Sequence, residues 1–176
     1  MNGRAHCGVP RWSLIVAPLV LGGLVVSMAV GPIADGTATP VLRPPPLTAG
    51  RDLLGEHVSL GSMRGAPLVV IFFASWCGPC HEDAPIFTRL DVRYRPRVRF
   101  ISVAIGDPPR DVRAFVSRYG WTWPVLRDEE HRWVAAFGPS GVPATFVLDT
   151  HGVVTQTLAG PVSEARVAKA LAPLLP

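Results

Sequence analysis

The sequence predicts an α/β domain in which a mixed central sheet carries helices on both faces, with an added N-terminal hairpin and one transmembrane helix ahead of it. Three observations predict this. Residues 12–34 are an uncharged apolar stretch. The run Leu68-Val69-Val70-Ile71-Phe72-Phe73 has the length and β-branching of a buried strand. Beyond it, strand-like runs alternate with segments of helical spacing almost to the C-terminus. At 176 residues the chain holds one domain large enough for a real core, and a net charge of +4 is too modest to argue for nucleic acid.

No charge occurs between Arg11 and Asp35, and these 23 residues as a helix span about 34 Å, against a bilayer core of roughly 30 Å. Arg4 and Arg11 precede the stretch, so residues 1–11 are expected in the cytoplasm and the remainder on the extracytoplasmic side of the cell membrane, single-pass. Two alternatives stand beside this signal-anchor: a cleaved signal peptide, which would make the protein secreted, and a buried core helix. Against cleavage, the apolar region is longer than the roughly 7–15 residues of a signal, and Ala29-Val30-Gly31 runs straight into Pro32. Residues 35–50, with Pro40, Pro44, Pro45 and Pro46, read as a stiff extended tether, and the folded domain is expected over 51–176.

Leu53 to Leu60, with Gly55 at a turn, suggests the added hairpin. After the central strand, a helix from Pro79 carries Ile86, Phe87 and Leu90 on one face, and Pro85 inside it is expected to kink it. Val98 to Ile105 is the next strand; a helix follows from Asp107 to Tyr119, stopped by Gly120. Val125-Leu126 is a short strand, Asp128 to Phe137 a helix and Ala144 to Leu148 a strand. Asp149-Thr150-His151-Gly152 marks a turn, so Val153 to Leu158 returns antiparallel, and Ser163 caps a last helix with Glu164 in its first turn.

Chemistry concentrates where the central strand hands over to a helix, at Trp76-Cys77-Gly78-Pro79-Cys80. Unpaired N–H groups and the positive end of the helix dipole favour a thiolate there, so Cys77, displayed at the tip, is the expected nucleophile. Cys80, one helical turn behind, reaches the same sulfur to resolve a mixed disulfide and closes a Cys77–Cys80 disulfide. Pro79 suits the first helical turn and Gly78 admits a substrate backbone. A structural disulfide or half a zinc site are the plainer readings; zinc needs a second Cys or His pair at ligand spacing, and none follows. Cys7, ahead of the apolar segment, is not expected to pair with the motif, and neither a metal nor an organic cofactor is expected.

Together with Gly141-Val142-Pro143-Ala144-Thr145-Phe146-Val147-Leu148-Asp149, the Trp-Cys-Gly-Pro-Cys motif resembles the thioredoxin fold, and further details resemble its TlpA-like branch. Those details are Val58-Ser59-Leu60 ahead of Gly65, Glu82-Asp83-Ala84-Pro85, and Trp123-Pro124-Val125-Leu126-Arg127-Asp128; the resemblance covers residues 51–175. It implies a membrane-tethered thiol–disulfide oxidoreductase acting on protein disulfides or dithiols, some members serving cytochrome c maturation. It also implies a transmembrane dithiol as electron donor. By the same resemblance Pro143 follows a cis bond to Val142 beside the cysteines, and backbone there pairs with a substrate peptide. Thioredoxins keep a buried Asp six residues before the first cysteine, where this chain has Ile71; the TlpA-like branch often has a Glu six residues after it, where this chain has Asp83. Asp83 is either a proton relay for Cys80, three positions away on the helix, or a first-turn charge that favours the dipole.

Trp76 is expected to flank and shield the nucleophile. Glu82 and His81 read as solvated helix positions; Trp121, Trp123 and Trp133 as core; and His57, His131 and His151 show no mutual ligand spacing. Arg89, Arg93, Arg95, Arg97 and Arg99 read as a solvated face near a helix C-terminus, with contact to anionic lipid as a rival. The expected activity is reduction of protein disulfides. A disulfide-forming oxidase is the alternative, since direction depends on reduction potential rather than spacing. A copper-delivery module lacks a clear third ligand, and a thiol peroxidase would want a lone attacking cysteine.

Overall fold

The computed structural model describes residues 48–175. The expected N-terminus 1–11, transmembrane segment 12–34 and tether up to residue 47 lie outside the described residues, among which no helix is long and apolar enough to cross a membrane.

The elements run β1 (Ala49–Arg51), β2 (His57–Ser59), β3 (Leu68–Phe73), α1 (Gly78–Tyr94), β4 (Arg99–Ala104), α2 (Pro109–Tyr119), β5 (Val125–Arg127), α3 (Arg132–Phe137), β6 (Ala144–Leu148), β7 (Val154–Ala159) and α4 (Glu164–Leu171). The five-stranded sheet has the order β5-β4-β3-β6-β7; β3 is parallel to β4 and antiparallel to β6. All six residues of β3 are buried, as a central strand covered on both faces requires. One face packs under α1, α2 and α4 through Val69, Ile71, Phe73, Phe87, Phe115 and Val167. The other packs Val70, Phe72 and Phe146 against Trp133 of α3 and Val58 of the hairpin. The expected architecture therefore holds over the described residues, with Trp121, Trp123 and Trp133 buried at 6%, 8% and 2% exposure.

Several boundaries differ from the sequence reading, each for a local reason. The hairpin opens at Ala49, inside the expected tether, because Asp52 Oδ1 accepts from the N–H groups of Leu54 and Glu56 and moves the turn to residues 52–56. It pairs Ala49 with Ser59, and Leu53 N–H then bonds Val125 O, so this segment also lines the β5 edge. α2 begins at Pro109 rather than Asp107, since a residue before proline avoids the helical region and Pro108 is extended. α3 begins four residues after Asp128, whose carboxylate instead caps it from outside, accepting from Trp133 N–H at 3.1 Å and Val134 N–H at 2.8 Å. α1 is continuous through Pro85, which sits on its exposed side.

Arginines near the end of α1 tie elements together instead of forming a purely solvated face. Arg89 and Arg93 both reach Glu164 on α4, at 3.2 and 3.5 Å, while Arg95 pairs with Asp91 and donates to Thr122 Oγ1.

Candidate active site

β3 ends at Phe73, and four residues later Cys77 is the N-cap of α1. This crossing places the cysteines at the C-terminal edge of the sheet, where backbone donors converge. Cys77 Sγ accepts from Cys80 N–H at 3.2 Å, and Cys77 O accepts from Cys80 N–H at 3.0 Å and His81 N–H at 3.3 Å. No acidic side chain occupies the first turn. A thiolate at Cys77 thus meets the Cys80 N–H and the positive end of the helix dipole, with no acid in the first turn to oppose it.

Cys77 and Cys80 form a disulfide with their Cα atoms 5.2 Å apart. Cys80 is buried at 2% exposure, and Cys77 at 5% is more enclosed than the expected display at the tip. The exposed surface belongs to its neighbours instead: Gly78, Pro79 and Trp76, the last 66% exposed. Trp76 thus presents most of its ring to solvent directly before Cys77. The Val142–Pro143 peptide bond is cis, with Val142 half-buried, Pro143 buried, and Pro143 O accepting from Gly160 N–H at 3.0 Å.

Asp83 is 3% exposed, on the same helix as Cys80 and one turn further on. As the sixth residue of α1 it lies past the first turn, so the reading as a first-turn dipole charge does not fit. Burial pushes its pKa from 3.8 up to about 6; the N–H of Val162 opposes the rise, nearby Glu82 adds to it, and Arg166 lowers it. A carboxyl titrating near 6 exchanges protons at neutral pH, where an ordinary aspartate does not.

Ser75 anchors the turn before Cys77. Its N–H and Oγ–H donate to the two oxygens of the buried Asp107 at 2.7 and 2.6 Å. Its carbonyl accepts from His81 Nε2 at 2.8 Å. A carbonyl only accepts, so Nε2 carries the proton, and Nδ1 of neutral His81 accepts from the Tyr119 hydroxyl at 2.8 Å. His81 also packs on Phe115, with ring centroids 4.8 Å apart. It is a fastening of the active-site turn, not the solvated position expected. The sequence signal for it was weak: a histidine beside Cys80 is visible, but its partners lie 6 and 38 positions away.

A cavity of about 600 Å³ lies elsewhere, between Arg51, His57, Arg113, Arg127 and Trp133. That cavity is lined by neither cysteine nor by Trp76 or Pro143, and at the motif the exposed surface is that of Trp76, Gly78 and Pro79.

A redoxin family model matches residues 36–172. The thiol-disulfide oxidoreductase ResA of Geobacillus thermodenitrificans is 26% identical over 163 residues, 92% of this chain and 94% of that one. Among solved structures, MTB DsbF in mixed oxidized and reduced forms is similar with a TM-score of 0.68 and 28% identity, over 72% of this chain and 94% of that one. A thioredoxin-family thiol:disulfide interchange protein from Chlorobium tepidum TLS matches with TM-score 0.68 and 26% identity, over 81% of this chain and all of that one (100%). These likenesses span the strand, helix and cysteine pair described above, and on them the chain belongs to the redoxin family, as a thiol–disulfide oxidoreductase of the thioredoxin-like TlpA/ResA type.

Proposed function

We propose that this protein reduces disulfides of other polypeptides on the extracytoplasmic side of a membrane, held there by residues 12–34. The observation that carries the reading is the Cys77–Cys80 pair at the N-terminus of α1, with donors on Cys77 and a buried acid one turn beyond Cys80.

Each turnover then balances as follows. The Cys77 thiolate attacks one sulfur of a substrate disulfide, forming a mixed disulfide and expelling a substrate thiolate that takes up a proton. Asp83 accepts the Cys80 proton, directly or through one water; the Cys80 thiolate attacks Cys77 Sγ and expels the second substrate thiol, which is protonated in turn. The chain leaves as the disulfide. A transmembrane dithiol donor restores it with two electrons and two protons. Trp76, Gly78, Pro79, Val142 and Pro143 form the surface against which the substrate peptide lies. Apocytochrome c awaiting haem attachment is one substrate that fits this reading.

Two measurements test it. Equilibration with glutathione buffers gives the reduction potential: a value below about −220 mV supports a reductant, and one near −120 mV assigns the opposite direction, disulfide formation. A Cys80→Ala chain traps mixed disulfides through Cys77, and mass spectrometry of the trapped partners identifies the substrates; failure to trap any polypeptide overturns the reading.

A further inference from the structure

Three side-chain hydroxyls are buried without a hydrogen-bond partner among the described residues, those of Thr48, Thr145 and Thr157; Thr157 stands opposite Phe146 on the far face of the sheet, whereas Thr145 lies on the face that holds the cysteines. The Thr145 side chain is fully buried, at 0% exposure, and its Oγ1 has no hydrogen-bond partner among the described residues. Ser102 on β4 is equally buried, yet its Oγ accepts from Trp123 Nε1 at 2.8 Å. A buried hydroxyl without a partner is a desolvation cost that native structures avoid, so its persistence points to a partner in another state of the molecule.

Register places that hydroxyl. Thr145 stands directly opposite Ile71 of β3 and Leu158 of β7, and residues opposite one another in a ladder share a face. Ile71 and Leu158 belong to the apolar interior that also holds Cys77 and Cys80 under α1. Thr145 is the second residue of β6, two beyond Pro143, so the row lies at the cysteine end of the sheet.

We propose that Thr145 is a positioning residue for the resolving cysteine: its hydroxyl lacks an acceptor while Cys77 and Cys80 are joined, and it hydrogen bonds to the Cys80 sulfur once the pair is reduced. The inference rests on the proposed cycling of the pair. Reduction breaks the S–S bond with two electrons and two protons, which in the test come from two glutathione thiols released as glutathione disulfide. A sulfur that was only a disulfide atom then becomes a thiol or thiolate, and the thiolate is the stronger acceptor. The reduced form gains a hydrogen bond and the oxidised form keeps the penalty, so Thr145 favours the dithiol.

Thr145→Val preserves the branched shape and removes the hydroxyl; Thr145→Ser preserves the hydroxyl. The full chain and both variants are equilibrated in glutathione buffers, with the oxidised fraction read by alkylation and mass. Thr145→Val is expected to favour the disulfide about tenfold, the size of one net hydrogen bond and equivalent to about 30 mV, with Thr145→Ser within about twofold of the parent. Thr145→Val is also expected to raise the melting temperature of the disulfide form and not of the dithiol form. A parent that cycles while Thr145→Val keeps the same equilibrium overturns the proposal, as does a shift shared equally by valine and serine, or a disulfide form that Thr145→Val makes less stable. A parent that never cycles removes the functional reading itself, which is a separate outcome.

Discussion

The backbone N–H of Val162 donates to both carboxylate oxygens of Asp83, at 3.1 Å to Oδ1 and 3.3 Å to Oδ2. That donor favours the ionised acid, yet burial outweighs it and the group titrates at about 6 instead of 3.8. The folded chain therefore binds more protons than the unfolded chain between those values, and stability falls as pH rises through this window before levelling off. The shift is worth about 3 kcal/mol at most. Asp83→Asn keeps an acceptor for Val162 and removes the titration. The variant is expected to be about 1–3 kcal/mol more stable than the parent at pH 7 and to lose that advantage near pH 4, measured by urea denaturation at both values. A difference of the same size at both pH values contradicts the assignment.

On the proposed mechanism the same titration is expected to set the pH dependence of the resolving step. Release of a mixed disulfide at Cys77 is expected to slow as pH drops below about 6, where Asp83 is protonated and takes no proton from Cys80. In Asp83→Asn the rate is expected to be lower throughout and to lose the inflection near 6. Stopped-flow release of a chromophoric thiol reads this directly, and an unchanged inflection assigns it to another group.

Asp107 and His81 hold Ser75 from opposite sides. Asp107→Ala leaves the Ser75 N–H and hydroxyl without acceptors and is expected to cost about 3 kcal/mol of stability. The loosened turn moves Cys77 away from the Cys80 N–H, so its thiol is expected to be less acidic and to be alkylated more slowly near pH 6. Tyr119→Phe removes only the donor to His81 Nδ1 and is expected to cost about 1 kcal/mol, with a smaller effect on alkylation. Equal alkylation rates in all three chains would separate the turn from the chemistry.

Asp128 caps α3 from four residues upstream with both oxygens. Asp128→Ala is expected to lower stability by about 2 kcal/mol while leaving disulfide exchange at Cys77 unaffected, because α3 packs on the sheet face away from the cysteines. Thermal melting and an insulin-reduction assay, run side by side, check both halves.

Gly50 leaves no room for a side chain. A Cβ there would lie 2.7 Å from Leu126 Cδ2, in a leucine that is itself 1% exposed. Gly50→Ala is expected to destabilise by about 1–3 kcal/mol through overpacking, read as a lower urea midpoint with unchanged slope.

The sheet, its helices and the cysteine pair were legible because each depends on local pattern: a six-residue apolar run, a motif at a strand-to-helix junction, a glycine past a helix end. What escaped reading depends on tertiary partners. His81 looked solvated until Tyr119 and Ser75 closed around it, and Cys77 looked displayed because no sequence signal reports how far its neighbours Trp76 and Pro79 stand out. Boundaries slipped where a side chain worked at a distance. Asp52 moved a turn, and Asp128 capped a helix that starts four residues later. The depth of Asp83 follows from α1 packing against the loop after β7, which no spacing within α1 reveals.

That loop has a consequence of its own. Gly160 N–H is bound to Pro143 O, and two residues later Val162 N–H is bound to Asp83. The cis-proline segment and the buried acid, which the proposed mechanism assigns to peptide recognition and proton transfer, are thus both bonded to a single three-residue strap. On the proposed mechanism, engineering that reshapes residues 160–162 to accept a new client is therefore expected to retune the acidity of Asp83 as well, so that the two traits move together.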